Sequence, residues 1–279
     1  MTEEQGLRNL RLPVVTNPRP EHSLVLFGRH SALQAKRLLR GWSRDLGTMI
    51  QALAYPALTL LVFRIALGDT IELATGKPSV YGTVPLMILT GAMSGAMISA
   101  LGLGAEQRSG LLGRLATMPI HRAADLAGRL LAEAVRVTAT TVLILAVGVA
   151  LGLRFEQGWL AALAAIGLAV LFGIGFAVPM TVLGTLAKGG QLIQIVAIIT
   201  TLLMFFNSGF VPLLAYPEWL RPTVEYQPMT CAIEAMRGLT YGGPVLMPLY
   251  QTLAWSLGSV LVFGYPAVRG YRRAAEHSA

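Results

Sequence analysis

Val84-Pro-Leu-Met-Ile-Leu-Thr-Gly-Ala-Met-Ser-Gly-Ala-Met-Ile-Ser-Ala-Leu-Gly-Leu-Gly-Ala105 contains no charged residue, and the polar segment Glu106-Gln-Arg-Ser-Gly-Leu-Leu-Gly-Arg114 follows at once. About 20 apolar residues carry a helix across the hydrocarbon core of a bilayer, so this stretch reads as one crossing with a wet turn behind it. The pattern recurs. Uncharged runs at 46–63, 137–153, 159–187, 189–217 and 245–268 are each separated from the next by a charge or a turn cluster. Backbone groups in lipid must bond within their own segment, and no alternating pattern of barrel strands is present, so the runs are helices. The expected fold is all-α: a polytopic membrane protein with six transmembrane helices over 46–268. The fourth and fifth runs exceed one crossing and must tilt, break or include a re-entrant part.

Composition points the same way. Of 279 residues, 54% are hydrophobic and 13% charged, with mean hydropathy +0.61; a soluble domain is about 25% charged, so lipid is the expected solvent. The formal charge of +8 raises nucleic acid as a partner, but Lys and Arg lie between the apolar runs rather than along one stripe, which argues against it. Cys231, the single cysteine, excludes an internal disulfide and a Cys-rich zinc site, and His22, His30, His121 and His277 are too scattered for HExxH ligation. Residues 1–22 are polar and proline-punctuated, without the apolar core of a signal peptide, and are expected to form a disordered cytoplasmic tail.

Lys and Arg collect on the cytoplasmic side of such proteins. With both termini inside, the inner segments hold Arg8, Arg11, Arg19, Arg29, Lys36, Arg37, Arg40 and Arg44, then Arg108, Arg114 and Arg122, then Lys188, then Arg269, Arg272 and Arg273. The outer ones hold Lys77, Arg154, Arg221 and Arg237. This asymmetry predicts a multi-pass protein of the plasma membrane with cytoplasmic termini, a cytoplasmic tail at 269–279, and outward-facing Lys77 and Glu218.

Residues 23–45 mix Leu24, Leu26, Phe27, Leu33, Leu38, Leu39 and Trp42 with basic residues and suit a helix in the interface plane, either a plain lipid anchor or a docking platform. Within 106–122, Glu106, Gly110 and Arg114 are four apart and would share one helical face, with Leu111, Leu112 and Leu115 as an apolar strip. That segment fits a groove on another protein, or is an ordinary positive loop. Arg129, Glu133 and Arg136 stand at i, i+4 and i+7 where the third run begins. They are either a substrate-facing or gating ion pair, or the wet first turns of a long helix whose side chains snorkel outward. Gly91 with Gly95, and Gly173 with Gly175, let helices approach closely. Residues 208–244, broken by Pro212, Pro217, Pro222, Pro228 and Gly242-Gly243-Pro244, are expected to form an extracellular re-entrant hairpin containing a short amphipathic helix. The chain has no G-x-x-x-x-G-K-[ST] loop, no G-x-S-x-G elbow and no carboxylate pair inside a run.

The Glu106-x3-Gly110-x3-Arg114-Leu115 segment, with Ser208-Gly209-x-x-Pro212, Pro217-x-Trp219, Gln227-Pro228 and Ala235-Met-Arg237-Gly238, resembles the ABC-2 type permeases, whose architecture is that of the type V exporters. Arg40-Gly-Trp-Ser-Arg44-Asp45, Val149-Ala-Leu-Gly-Leu-Arg154-Phe155 and Gly270-Tyr-Arg-Arg-Ala274 carry the likeness to the daunorubicin-resistance (Drr) branch, in its mycobacterial DrrC-type form. The resemblance covers nearly the whole chain from about residue 22. It implies an exporter of two permease subunits, here a non-identical pair with a DrrB-like partner, and two copies of a separate ABC ATPase. ATP and Mg would be bound by that ATPase, leaving no cofactor and no catalysis in this chain. It also implies that the N-terminal helix and the 106–122 segment touch the ATPase. Coupling roles then fall to Arg37, Arg40, Trp42 and Arg44, and to Glu106, Gly110, Leu111, Leu112, Arg114 and Leu115. The implied cargo is hydrophobic: an anthracycline-like drug, or a polyketide-derived lipid such as phthiocerol dimycocerosate.

An apolar cargo needs an apolar, adjustable wall. Met49, Met93, Met97, Met204, Phe205 and Phe206, from the first, second and fifth spans, are candidates to line a path between the two permeases; the other reading is that they face lipid or the bundle. A secondary, ion-coupled transporter of lipid or drug is the alternative function, but coupling-ion carboxylates and inverted repeats are not evident. Nor is the nucleophile or acid/base set of a lipid-modifying enzyme.

Overall fold

All regular elements in the computed structural model are helical, with no strand among the described residues, 24–116, 124–186 and 189–276. The expected tail at 1–22, Arg122 and Lys188 lie outside them. Helix α1 (Leu24–Arg44) leads into α2 (Leu46–Met49), a π-helical stretch at Ile50–Ala54 and α3 (Tyr55–Thr75). Next come α4 (Val80–Arg108), α5 (Leu111–Ala116), α6 (Ala124–Ala150), α7 (Trp159–Gly184) and α8 (Gly189–Phe205). A 3₁₀ turn at Leu213–Ala215, α9 (Arg221–Tyr226), α10 (Pro228–Tyr241) and α11 (Leu246–Glu276) complete the order.

Among the described residues five segments are long and apolar enough to cross a bilayer: Leu46–Leu73, Val80–Arg108, Ala124–Ala150, Trp159–Gly184 and Leu246–Ala274. The run expected as the fifth span is apolar but shorter, at 17 residues; at a rise of 1.5 Å per residue it reaches about 25 Å. It stops at Phe205, ahead of the hairpin expected from 208, because Asn207 turns its side chain onto the local backbone. That side chain accepts from the Gly209 N–H at 2.6 Å and donates to the Met204 carbonyl, while the Tyr216 hydroxyl donates to the Asn207 carbonyl at 3.1 Å. Such local bonds compete with helix continuation. At the other extreme α6 begins at Ala124, well before the expected start at 137, and α11 continues through Glu276 where a tail was expected from 269. In α6 the polar residues that interrupt the apolar run find partners inside the protein, whereas in α11 the continuation is held by Tyr271 and Ala274, buried against Leu103 and Leu112, with Arg269, Arg272 and Arg273 exposed.

Helix α4 is the axis. Two-thirds of its crossing, 67%, is buried, against 17% for the first span and 11% for the last. Helices α3, α6, α7, α8 and α10 all pack on it; α11 packs on α7, and α1 lies along α6. The bundle therefore has two distinct ends. At one, α1 and α5 meet the ends of α4 and α11; at the other, the 206–244 segment folds back and α10 packs between α4, α7 and α11. The start of the first span shows how backbone groups are satisfied in lipid. Pro56 has no N–H to offer the carbonyl four residues back, and that carbonyl, of Ala52, accepts from the Thr140 hydroxyl of α6 at 3.2 Å.

Candidate functional site

The α1 end gathers most of the residues expected to couple. Helix α1 buries Ser31, Gln34, Ala35 and Leu38, and it comes so close to α6 that a side chain at Gly128 would strike the Ser31 carbonyl and the Ala35 N–H. On the opposite side of the helix Arg29, Lys36, Arg40 and Arg44 are exposed. The four coupling candidates of α1 thus divide: Arg40 and Arg44 face outward, whereas Trp42 packs by Ala35, Leu38 and Ala132, and Arg37 turns inward.

Arg37 reaches the carboxylates of Glu106 at 3.4 Å and Asp125 at 3.8 Å, and Glu106 also pairs with Arg129. Arg129, 4% exposed, lies over the Tyr271 ring at 6.0 Å. This ionic junction ties α1, α4, α6 and α11 together at one end of the bundle.

The expected shared face of Glu106, Gly110 and Arg114 is not formed. Helix α4 ends at Arg108, Gly110 takes the left-handed conformation at φ +71, and α5 starts afresh at Leu111. Only glycine adopts that conformation at no steric cost, so Gly110 reverses the direction between two helices that the spacing alone would join. Glu106 consequently points into the junction and Arg114 is exposed on α5. Of the apolar strip, Leu112 is buried with Leu103, Tyr271 and Ala274, and Leu111 and Leu115 are half-buried.

Higher in the bundle, Glu133 and Arg136 are 1% and 8% exposed, which rules out the snorkelling reading. Arg136 donates from Nε to Glu133 at 3.2 Å, pairs again through Nη2, and donates to the carbonyls of Gly91 and Ala92 at 3.3 and 3.2 Å. A Cβ at Gly95 would lie inside the guanidinium group. The glycine pair on α4 therefore houses a side chain from α6, whereas Gly173 and Gly175 do bring helices together, against Val137 and the Ser256 backbone.

The six cavity candidates are not brought into one wall. Met93 lines a pocket of about 260 Å³ among α4, α7, α8, α10 and α11. Met97 packs in a separate cluster with Ala100, Met180 and Ile193, Met204 leans on the main core, and Met49, Phe205 and Phe206 are exposed.

At the far end Arg237 donates to Glu234 and to the Ser208 carbonyl, both at 2.6 Å, and Lys77 sits over the Tyr241 ring. Cys231 is buried in α10, and burial pushes its thiol up to about 11. No group of three or more His, Cys, Asp and Glu that could hold a metal occurs among the described residues.

Sequence reasoning missed Asp125, Arg129 and Tyr271 as members of the junction. The available signal was the spacing of Asp125, Arg129 and Glu133, four apart on one helical face just ahead of an apolar run.

Residues 31–241 match the ABC-2 type transporter family. The chain is 39% identical over 260 residues, 93% of its length and 94% of the relative's, to a protein of Mycobacterium tuberculosis described as "Probable doxorubicin resistance ABC transporter permease protein DrrC". It is also 25% identical over 230 residues, 82% of its length and 81% of the relative's, to the "Daunorubicin resistance ABC transporter permease protein DrrB1" of Streptomyces coeruleorubidus.

Proposed function

Because the chain belongs to the ABC-2 type transporter family as a membrane-spanning permease, we propose that it works with two copies of a separate ABC ATPase and a second, non-identical DrrB-like permease to export hydrophobic cargo across the plasma membrane. The proposed cargo is an anthracycline-like drug, in keeping with the doxorubicin and daunorubicin of the relatives' names, or else a polyketide-derived lipid such as phthiocerol dimycocerosate, which those names do not mention. ATP and Mg belong to the ATPase, and this chain contributes no catalytic group.

The observation that carries this reading is the two-sided character of α1. Its outer side presents Arg29, Lys36, Arg40 and Arg44 to whatever lies beneath the membrane, and its inner side is joined through Arg37 to Glu106 and Asp125. A displacement of α1 by the ATPase is passed by charge pairs to α4 and α6, and through Tyr271 to α11. Arg40→Glu with Arg44→Glu should leave the permease folded and inserted while lowering recovery of the co-expressed ATPase at least about tenfold, equivalent to ~1.4 kcal/mol. Cargo-stimulated ATP hydrolysis should fall with it. Wild-type recovery and turnover would reject α1 as the docking element, and transport that persists with an inactive ATPase would favour the ion-coupled alternative.

Sidedness has its own test. Cysteines placed at Lys77 and Glu218 should react with an impermeant maleimide in intact cells. Native Cys231 should stay silent, since it is 1% exposed and burial also raises its thiol, lowering the thiolate fraction further. Protection at both introduced positions would invert the topology.

A further inference from the structure

Helix α11 carries an apolar groove that the export reading does not use. Gln251, Trp255, Gly258, Ser259, Val262 and Phe263 recur at helical spacing on one face of α11 and, with Tyr226, line a cavity of about 560 Å³. Trp255 and Ser259 also line the pocket of about 260 Å³ that reaches inward to Met93 and Phe172, so the two spaces meet at the indole. From Gln251 to Phe263 the groove runs about 18 Å at 1.5 Å per residue, close to one leaflet of a hydrocarbon core about 30 Å thick.

Three features define what fits there. No lining residue of either space carries a charge, so an anionic or cationic ligand group would be left unpaired in a medium of low dielectric. The groove lies on a helix of which only 11% is buried, with Tyr226, Trp255, Val262 and Phe263 exposed along it, and the inner pocket is likewise exposed at Ile199 and Leu203. Its wall is set in advance: the Trp255 indole N–H donates to the Tyr226 carbonyl at 3.0 Å, which fixes the ring while leaving its apolar face to the groove. Close contact of α7 with α11 at Gly175 and Ser256 borders the inner pocket.

We infer that this groove binds one hydrocarbon chain of a bilayer phospholipid, laid along α11 against Trp255, as a resident lipid distinct from the exported cargo. Gly258 supplies the means of testing it. A Cβ there would meet nothing within 4 Å, so Gly258→Phe starts its side chain in open space and places a ring in the groove.

The experiment uses the full chain with Trp42, Trp159 and Trp219 replaced by phenylalanine, leaving Trp255 as the fluorophore. The chain, in detergent micelles, is titrated with phosphatidylcholine brominated at mid-chain. The expected result is quenching that saturates at low lipid, is lost in Gly258→Phe and persists in Gly167→Phe, a control glycine on α7 that also has open space around it. Unchanged circular dichroism and thermal unfolding show that both variants fold. Quenching that rises with lipid without saturating, or that survives Gly258→Phe, would overturn the inference. So would a Trp255 shielded from lipid because a second copy covers it, seen as a dimer by light scattering in the same micelles.

Discussion

Glu133→Ala is expected to destabilise the protein by about 3–5 kcal/mol, the cost of leaving one member of a buried ion pair without its counter-charge. Arg136 is held in the bundle by Glu133 on its own helix and by the carbonyls of Gly91 and Ala92 on α4. The carbonyls alone satisfy hydrogen bonds but do not neutralise the charge. With the carboxylate gone the guanidinium must drag in water or leave, and either disrupts the contact between α4 and α6. Removing both charges in Glu133→Ala, Arg136→Met should restore most of the loss, since a methionine needs no counter-ion and fills similar volume. Gly95→Leu should be as damaging as the single change, because the added side chain occupies the space of the guanidinium. Unfolding of the four proteins in mixed micelles checks the order. Equal midpoints for wild type and Glu133→Ala would show that the pair contributes nothing.

Arg129→Met is the second large effect, and it separates coupling from folding. Loss of this guanidinium leaves the carboxylates of Glu106 and Asp125 to share Arg37, at 3.4 and 3.8 Å, and removes the contact with Tyr271. The junction should open locally at a cost of about 3 kcal/mol, roughly a hundredfold faster amide exchange in α1 and the first turns of α6. The core around Leu86, Met87 and Ile233, remote in sequence and at the other end of α4, should keep its protection. Stimulation of the partner ATPase by cargo should be lost even though the exposed Arg40 and Arg44 are intact. Arg129→Lys keeps the charge but not the planar group, so it should recover stability better than stimulation. Uniformly fast exchange throughout the bundle would mean that Arg129 holds the fold as a whole.

Much of the architecture was legible because lipid imposes a simple requirement on composition. The uncharged stretches of α4 and α7 mark their crossings directly, as does most of α11. Where polar residues lie inside a helix the same rule misplaces boundaries. Asp125, Arg129, Glu133 and Arg136 delay the apparent start of α6, since nothing local shows that their partners lie on α1 and α4. Glu106 and Arg114 look like neighbours on one face until Gly110 reverses the chain, and glycine is too common here for that turn to stand out. The inward Arg37 and the outward Arg40 are alike in sequence; only the contact of α1 with Gly128 separates them. For the cavity candidates, residue type was the sole guide, and methionine and phenylalanine serve packing, lipid contact and cargo equally well.

Gly91-x3-Gly95 has the spacing by which membrane helices of separate chains commonly clasp one another. In this protein the seam is already filled from within, by Arg136 at Gly95 and by Thr140 and Pro56 at Gly91, all of the same chain. That seam has no surface left for a second chain, so the second permease proposed above would have to meet the peripheral helices α3 or α8, away from the α11 groove. In that proposed assembly, shape on those outer flanks would govern the choice of partner, and the arginine lock on α4 would be indifferent to it.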